Sequence, residues 1–319
     1  MRDDRFDGRE QIGGYRITRR RLLQFCGAMA ATLPLPLRYS ERIAEALTSA
    51  PRPPLVWLEF QDCTGDTESF LRAGNPTIDD LLLQAISLNY HETIMVPAGV
   101  ASERPLFDTV RSQRGQYICL IEGSIPAGSG GIFCTIRGRT ALSIAQEVAR
   151  DALAVIAVGT CACDGGLAAA APNPTGALGV RRAIPGLANL VALPGCPANV
   201  ENITATLVHY LTFGALPACD GEGRPRFAYG DKVHANCERR DHYEHHRFVL
   251  EWGDAGHRAG WCLKKMGCKG PDTRHNCPVV KWNQASSWPV GAGHGCVGCA
   301  TAGFWDRLVP FYVQLSDDA

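Results

Sequence analysis

Leu153-Ala154-Val155-Ile156-Ala157-Val158-Gly159-Thr160-Cys161 places an unbroken apolar run directly before a glycine and a cysteine. The run has strand length and no polar face, the pattern of a strand buried on both sides of a parallel sheet. Leu190-Val191-Ala192-Leu193 repeats it and delivers Pro194-Gly195-Cys196-Pro197. Leu55-Val56-Trp57-Leu58-Glu59-Phe60 runs in the same way into Gln61-Asp62-Cys63-Thr64-Gly65-Asp66. Residues 117–122 form a further apolar run ending at Gly123, and residues 93–96 read as another strand. Between them, residues 78–88 carry apolar side chains at helical spacing, and residues 140–151 read as a helix capped by Thr140. Strands alternating with helices predict a doubly wound parallel sheet. The carboxyl ends of such strands share one edge, where ligands bind. The Cys63–Asp66 loop, Cys161 and Cys196 are therefore expected to converge there.

Composition narrows the function. Lys+Arg and Asp+Glu are both 32, so no global basic field exists to attract nucleic acid. The 14 cysteines could imply an exported disulfide framework. Their spacing argues against it, because Cys262 and Cys268, or Cys296 and Cys299, are too close for ordinary structural bridges. Residues 1–50 read as a leader: Arg19-Arg20-Arg21-Leu22-Leu23 precedes a mildly apolar run broken by Pro34 and Pro36. A charged start, apolar middle and small residues around Ala44-Glu45-Ala46 fit a twin-arginine export signal. The bland alternative is a basic tail. No later segment offers the roughly 18 uninterrupted apolar residues of a membrane span.

Three ligand sets emerge. Cys63, Asp66, Cys161 and Cys196 offer three thiolates and a carboxylate, with Cys163 as a nearby structural thiol. Four-iron clusters ordinarily take four thiolates, so either Asp66 completes the fourth corner or the site holds a three-iron cluster. The second set is His234, Cys237, Cys262 and Cys268, whose chemistry fits an iron–sulfur cluster and a structural zinc equally. The third is Cys277, Cys296 and Cys299, with His294 the only further candidate; three thiolates suit a three-iron cluster, whereas zinc would want a fourth ligand. After about residue 212 apolar strands vanish and Cys, His, Gly, Pro and Trp dominate, a composition with little core that metal clusters would staple.

Taken together these motifs resemble the small subunit of nickel–iron hydrogenases over almost the whole chain. Cys63-Thr64-Gly65, Glu122-Gly123-Ser124-Ile125-Pro126, Gly159-Thr160-Cys161-Ala162 and Pro194-Gly195-Cys196-Pro197 match its first half. His234 to Cys237, Cys262 to Pro271, Asn276-Cys277-Pro278 and Cys296-Val297-Gly298-Cys299 with Phe304-Trp305-Asp306 match its second. The resemblance implies a flavodoxin-like domain over 51–211, with a proximal cluster, and an irregular iron–sulfur domain over 212–319. It implies a medial [3Fe-4S] cluster on Cys277, Cys296 and Cys299 and a distal [4Fe-4S] cluster on His234, Cys237, Cys262 and Cys268. The proximal cluster would be [4Fe-4S] with three Cys and Asp66, or [3Fe-4S]. Nickel would sit on a separate large subunit, leaving no catalytic residue here. A membrane cytochrome or quinone-linked acceptor, a periplasmic location and a dimer of heterodimers are further implications.

The departures are specific. The family usually has cysteine where this chain has Asp66. Gly65 and Gly166 lack the two extra cysteines of one oxygen-tolerant subgroup, and Pro289 stands where four-iron medial relatives carry a ligand. The chain ends at Ala319 without the anchoring helix of membrane-bound relatives. Glu68 reads either as a neighbour of the proximal cluster or as a helix-start acid. The run from His242 to His246 reads as polar surface, and Cys26, Cys119, Cys134 and Cys219 as small buried or unpaired residues. The alternative functions are a zinc-stabilised, non-catalytic binding module, and a hydrogen sensor of the same family, which the export signal and distal set disfavour.

Overall fold

A computed structural model describes residues 9–12, 15–49, 52–74 and 86–314, with side chains from Leu22 onward. At its centre five parallel strands pair: β3 (Pro54–Glu59), β4 (Ser87–His91), β5 (Ile118–Glu122), β6 (Ala154–Val158) and β7 (Leu190–Leu193). Ahead of them lie β1 (Arg9–Ile12) and β2 (Tyr15–Thr18), a separate antiparallel ribbon. The order across the sheet is β7-β6-β5-β3-β4. Read from the other edge this is the flavodoxin-like order, whose switch point lies between β3 and β5.

Alternation along the strands supplies two cores. Trp57, Leu120, Ile156 and Leu193 face one way, and Val56, Leu58, Ile121 and Val155 the other. The second face is covered by α4 (Val100–Ser112) through Leu106 and Val110, and by α5 (Ala141–Arg150) through Ile144 and Val148. Thr140 caps α5 as expected, its hydroxyl oxygen accepting from Ser143 N–H at 3.2 Å. The first face is covered by α7 (Val200–Phe213), capped by Asn199, through Ile203 and Leu207.

The same face carries the segment expected to be a leader. Helices α1 (Arg19–Thr32) and α2 (Tyr39–Ser49) bury Phe25, Cys26, Met29, Ile43 and Leu47 against it. Pro34 and Pro36 break the chain between them, as proline must. Arg42 lies over the Phe213 ring at 4.9 Å, and Tyr39 packs 5.9 Å from it. From Leu22 to Leu47 this segment is thus packed on the sheet domain.

Two expectations need correction or restriction. Residues 93–96 are a turn, not a strand: Met95 N–H bonds back to His91 O, and Val96 is 98% exposed. The strand lies earlier, at β4, held by pairing with Pro54 to Trp57. Most of the expected helix over 78–88 falls outside the described residues, and its last two residues belong to β4.

Past α7 regular structure stops. Helices of four or five residues, 3₁₀ turns and isolated bridges carry the chain to residue 314. The main core there is Val233, Val249, Leu263, Met266, Trp288 and Val290, with Cys237, Cys268, Cys277 and Cys296 packed against it. The cysteines are part of that core.

Candidate metal centres

The first set forms at the sheet edge, beside the switch point. Thr64 takes a left-handed turn (φ 60°) after β3 and starts α3 (Gly65–Leu71), which carries Asp66. Glu122, at the end of β5 and fully buried, holds this turn. It accepts from Asp66 N–H at 2.9 Å, from Thr67 N–H at 3.0 Å and hydroxyl at 2.6 Å, and from the Trp57 indole at 3.2 Å. One Asp66 carboxylate oxygen accepts from Ala198 N–H at 2.6 Å. The other lies against Gly159, where a Cβ would come within 2.0 Å of it. Cys161 sits in α6 (Gly159–Asp164), and a Cβ on Gly166 would meet its Sγ at 2.2 Å. Only glycine leaves these groups room.

Electrostatics shows how tightly they gather. The Cys161 thiol is pushed up to about 12 by burial, then by Cys196, Asp66 and Cys63. Cys196 rises to about 11 through burial, Cys299, Asp66 and Cys63. Asp66 is raised well above the usual carboxylate range by burial and by Glu122. Burial and mutual repulsion oppose the anionic forms here unless a cationic metal core is present, and thiolates with a carboxylate are what such a core takes. Carboxylate oxygens of Glu59, Asp62 and Glu122 lie within 4.8 Å of one another beside it. Cys163 turns its Sγ back to Ala157 O at 3.6 Å, in keeping with a structural role.

In the second set, the turn Val233–Asn236 carries His234, and Cys237, Cys262 and Cys268 line the same small cavity. Burial, then Arg240 and Lys264, lower the His234 pKa from its ordinary value, favouring the neutral ring that can ligate. Tyr243 packs edge-on to that ring at 4.6 Å. Arg239 N–H points at Cys237 Sγ (3.4 Å). These residues fit either an iron–sulfur cluster or zinc.

The third set opens into an apolar cleft of about 710 Å³ lined by Cys277, Cys296, Cys299, Trp288 and Pro289. The Trp282 indole donates to Cys277 Sγ at 3.3 Å. His294 also lines the cleft, but its Nδ1 meets Gly295 O at 3.0 Å and its ring stacks on Trp252. Pro289 offers no ligand atom.

The three sets are bonded to one another. The Thr160 hydroxyl accepts from Gly195 N–H at 3.0 Å and donates to Cys299 O at 2.5 Å, joining the first set to the third. Cys296 N–H donates to Cys268 Sγ at 3.3 Å, joining the third to the second. The roles of Thr160 and Glu122 escaped the sequence reading. Glu122 could have been found as a lone acid ending a buried strand.

None of the 14 cysteines is in a disulfide. Glu68 is exposed, pairs with Arg72 at 3.7 Å and lines the same cleft as Cys196, and His245 pairs with Asp241 on the surface. Cys26 and Cys119 are fully buried.

Comparison with known proteins identifies the frame. A family model for the C-terminal part of the NiFe/NiFeSe hydrogenase small subunit matches residues 229–312. A model for the NADH ubiquinone oxidoreductase 20 Kd subunit matches residues 63–210. The periplasmic [NiFe] hydrogenase small subunit 1 of Nitratidesulfovibrio vulgaris is 45% identical over 304 residues, 95% of each chain. The uptake hydrogenase small subunit of Azotobacter vinelandii is 43% identical over 94% of this chain and 83% of its own length. Among solved structures, the Ni-Fe-Se hydrogenase of Desulfomicrobium baculatum superposes with a TM-score of 0.78 at 32% identity, covering 83% of this chain and 100% of that one. The actinobacterial-type NiFe-hydrogenase of Ralstonia eutropha H16 gives 0.74 at 27% identity, covering 84% of each. The chain belongs to the small-subunit family of nickel–iron hydrogenases.

Proposed function

We propose that this chain is the electron relay of an uptake-type nickel–iron hydrogenase, active only beside a large subunit that holds the Ni-Fe site. The observation that carries the reading is the hydrogen-bonded succession of ligand sets, from Cys161 and Cys196 through Thr160 to Cys299, then from Cys296 to Cys268. Bound iron–sulfur clusters would supply one-electron storage at each set. Cys63, Asp66, Cys161 and Cys196 hold the proximal one, Cys277, Cys296 and Cys299 a medial [3Fe-4S], and His234, Cys237, Cys262 and Cys268 a distal [4Fe-4S]. Glu122 orients the Asp66 turn, glycines at 159 and 166 admit the ligands, and the His234 set is the exit for electrons. Asp66 ligates the fourth proximal iron in this reading.

The leader directs export across the cytoplasmic membrane by the twin-arginine route, which accepts a protein already loaded with metal. Among the described residues no helix is long and apolar enough to cross a membrane. A membrane cytochrome or quinone-linked carrier takes the electrons, and heterodimers pair.

The test uses the purified heterodimer and His234→Ala. Hydrogen-dependent dye reduction should fall by roughly 10–100-fold, the range for perturbed ligand shells. Hydrogen–deuterium exchange with heavy water, which needs no electron exit, should persist. Parallel loss of both with all other clusters intact, or hydrogen-dependent dye reduction by this chain alone, contradicts the reading.

A further inference from the structure

The turn that carries Cys277 is fastened at both ends by the start of α7. Asn202 and Asn276 exchange amide hydrogen bonds, each at 2.9 Å. Asn199, fully buried, caps α7 with its side-chain oxygen and donates its amide to Lys281 O at 2.6 Å. Cys277 begins a single helical turn, Cys277–Val280, which Lys281 ends at φ 54° and ψ −158°. Such backbone is almost confined to glycine, and a lysine keeps it only when its surroundings hold it there. The bond from Asn199 is such a hold.

The strained residue turns the chain back onto the sulfur. Trp282 comes next: its backbone N–H donates to Ser287 O at 2.7 Å, and its indole donates to Cys277 Sγ at 3.3 Å. The backbone N–H of Cys277 goes elsewhere, to Nδ1 of the buried His275 at 2.8 Å. His275 packs edge-on to Tyr229 at 5.2 Å, and the Tyr229 hydroxyl donates to Pro194 O at 2.9 Å, in the loop that carries Cys196. The Cys277 amide is thus tied towards the first set, and a side chain supplies the donor at its sulfur.

We propose that Trp282 is a positioning residue that raises the potential of the medial cluster through its indole N–H on the Cys277 sulfur. The inference rests on the relay reading above and adds the residue that tunes its middle step. A hydrogen bond strengthens as its acceptor gains negative charge, and hydrogen bonds to the sulfurs are one lever on cluster potential. Reduction at the third set adds one negative charge, so the donor stabilises the reduced form more than the oxidised one. One electron arrives from the first set as one leaves for the second, and no bond to the protein forms or breaks. The partner's oxidation of hydrogen supplies the electrons. Asn199 and Lys281 act through Trp282, by fixing where its indole points.

The experiment is a redox titration of the wild-type and Trp282→Phe heterodimers, read on the oxidised three-iron signal by paramagnetic resonance. Phenylalanine keeps a ring in the cleft and removes the donor. The medial midpoint should fall by about 59 mV, a tenfold change in a one-electron equilibrium, with the other two midpoints unmoved. Asn199→Ser keeps a capping oxygen and gives up the bond to Lys281, so it should lower the medial midpoint by less. A second measurement needs no variant to fold: wild type labelled with heavy nitrogen in its indoles should show nitrogen coupling to the three-iron signal. Trp282→Phe should lose that coupling. An unchanged medial midpoint in the cluster-replete variant overturns the proposal, as does an equal fall at all three clusters. Loss of the three-iron signal in Trp282→Phe overturns it too, since the indole would then serve assembly. So does a wild type without nitrogen coupling, or coupling that survives in Trp282→Phe and so belongs to Trp288 in the same cleft. Absence of a three-iron signal from the wild-type heterodimer would instead sink the relay reading of the third set.

Discussion

The two halves of this subunit solve the problem of holding metal in opposite ways. The sheet domain has two apolar cores of its own, and its proposed ligands stand on the edge: Cys63 is exposed, while Trp57, Ile156 and Leu193 are fully or almost fully buried beneath it. The second half has a core of six buried apolar residues, with four proposed ligands built into its wall. A domain that borrows its core from metal ligands should fail when the metal goes, whereas one that only displays them should not.

The largest expected effect follows directly. Removing metal anaerobically with a chelator should leave amide protection in β3, β5 and β6 nearly intact. Protection over residues 229–312 should fall at least about 100-fold, roughly 2.7 kcal/mol. Equal loss in both halves would break the comparison. Next is the reverse perturbation. Ile203→Ala, at a fully buried position of α7, should lower the sheet domain's unfolding free energy by about 2–5 kcal/mol while leaving the resonance of the distal cluster unaltered. A changed distal signal would mean that the halves are not energetically separable.

A smaller effect should come from Asp66→Cys. An all-thiolate proximal cluster differs in covalency and charge, so its midpoint should shift on the order of 60 mV, tenfold in equilibrium. In the proposed relay the proximal cluster would be the first to return electrons to the partner's nickel site, so the variant should also lose activity faster under oxygen. An unchanged midpoint and oxygen response would make Asp66 a tolerated substitution.

The smallest effect sharpens the account of the sheet edge. Glu92 is raised to about 8, chiefly by burial, against Glu59 N–H and Tyr90 OH bonds that favour its charge. Its folded pKa lies above its unfolded value, so the stability it adds is complete below about 4.5 and is lost as pH rises towards 8. The stability slope of wild type over that window should therefore exceed that of Glu92→Gln, by at most about 1.4 kcal/mol per pH unit. Coincident slopes would remove Glu92 from the account.

What could be read ahead of the structure divides along the same line. β5, β6 and β7 were legible because each is a short apolar run flanked or ended by glycine or proline, a local signal. The three proposed ligand sets come from spacing and from the family motifs that carry them, and the fold gathers the residues of each set. β4 was not legible, since Asn89, Tyr90 and His91 show no strand pattern and owe their extension to pairing with β3. The packed leader was missed because a moderately apolar, proline-broken run reads alike whether it docks or stays free. Glu122 and Thr160 were invisible as organisers for one reason. Each acts on groups 35 to 139 residues away, and only the closed fold brings them together.

The central claim is that three distinct clusters stand in succession in this chain. Paramagnetic resonance of the intact heterodimer, titrated from fully oxidised to fully reduced, tests it most directly. The account predicts a medial three-iron signal when oxidised. On reduction, two separate four-iron signals should appear, of which His234→Ala alters one and Asp66→Cys the other. A colourless protein containing zinc, or an iron protein in which both substitutions perturb a single signal, would contradict it.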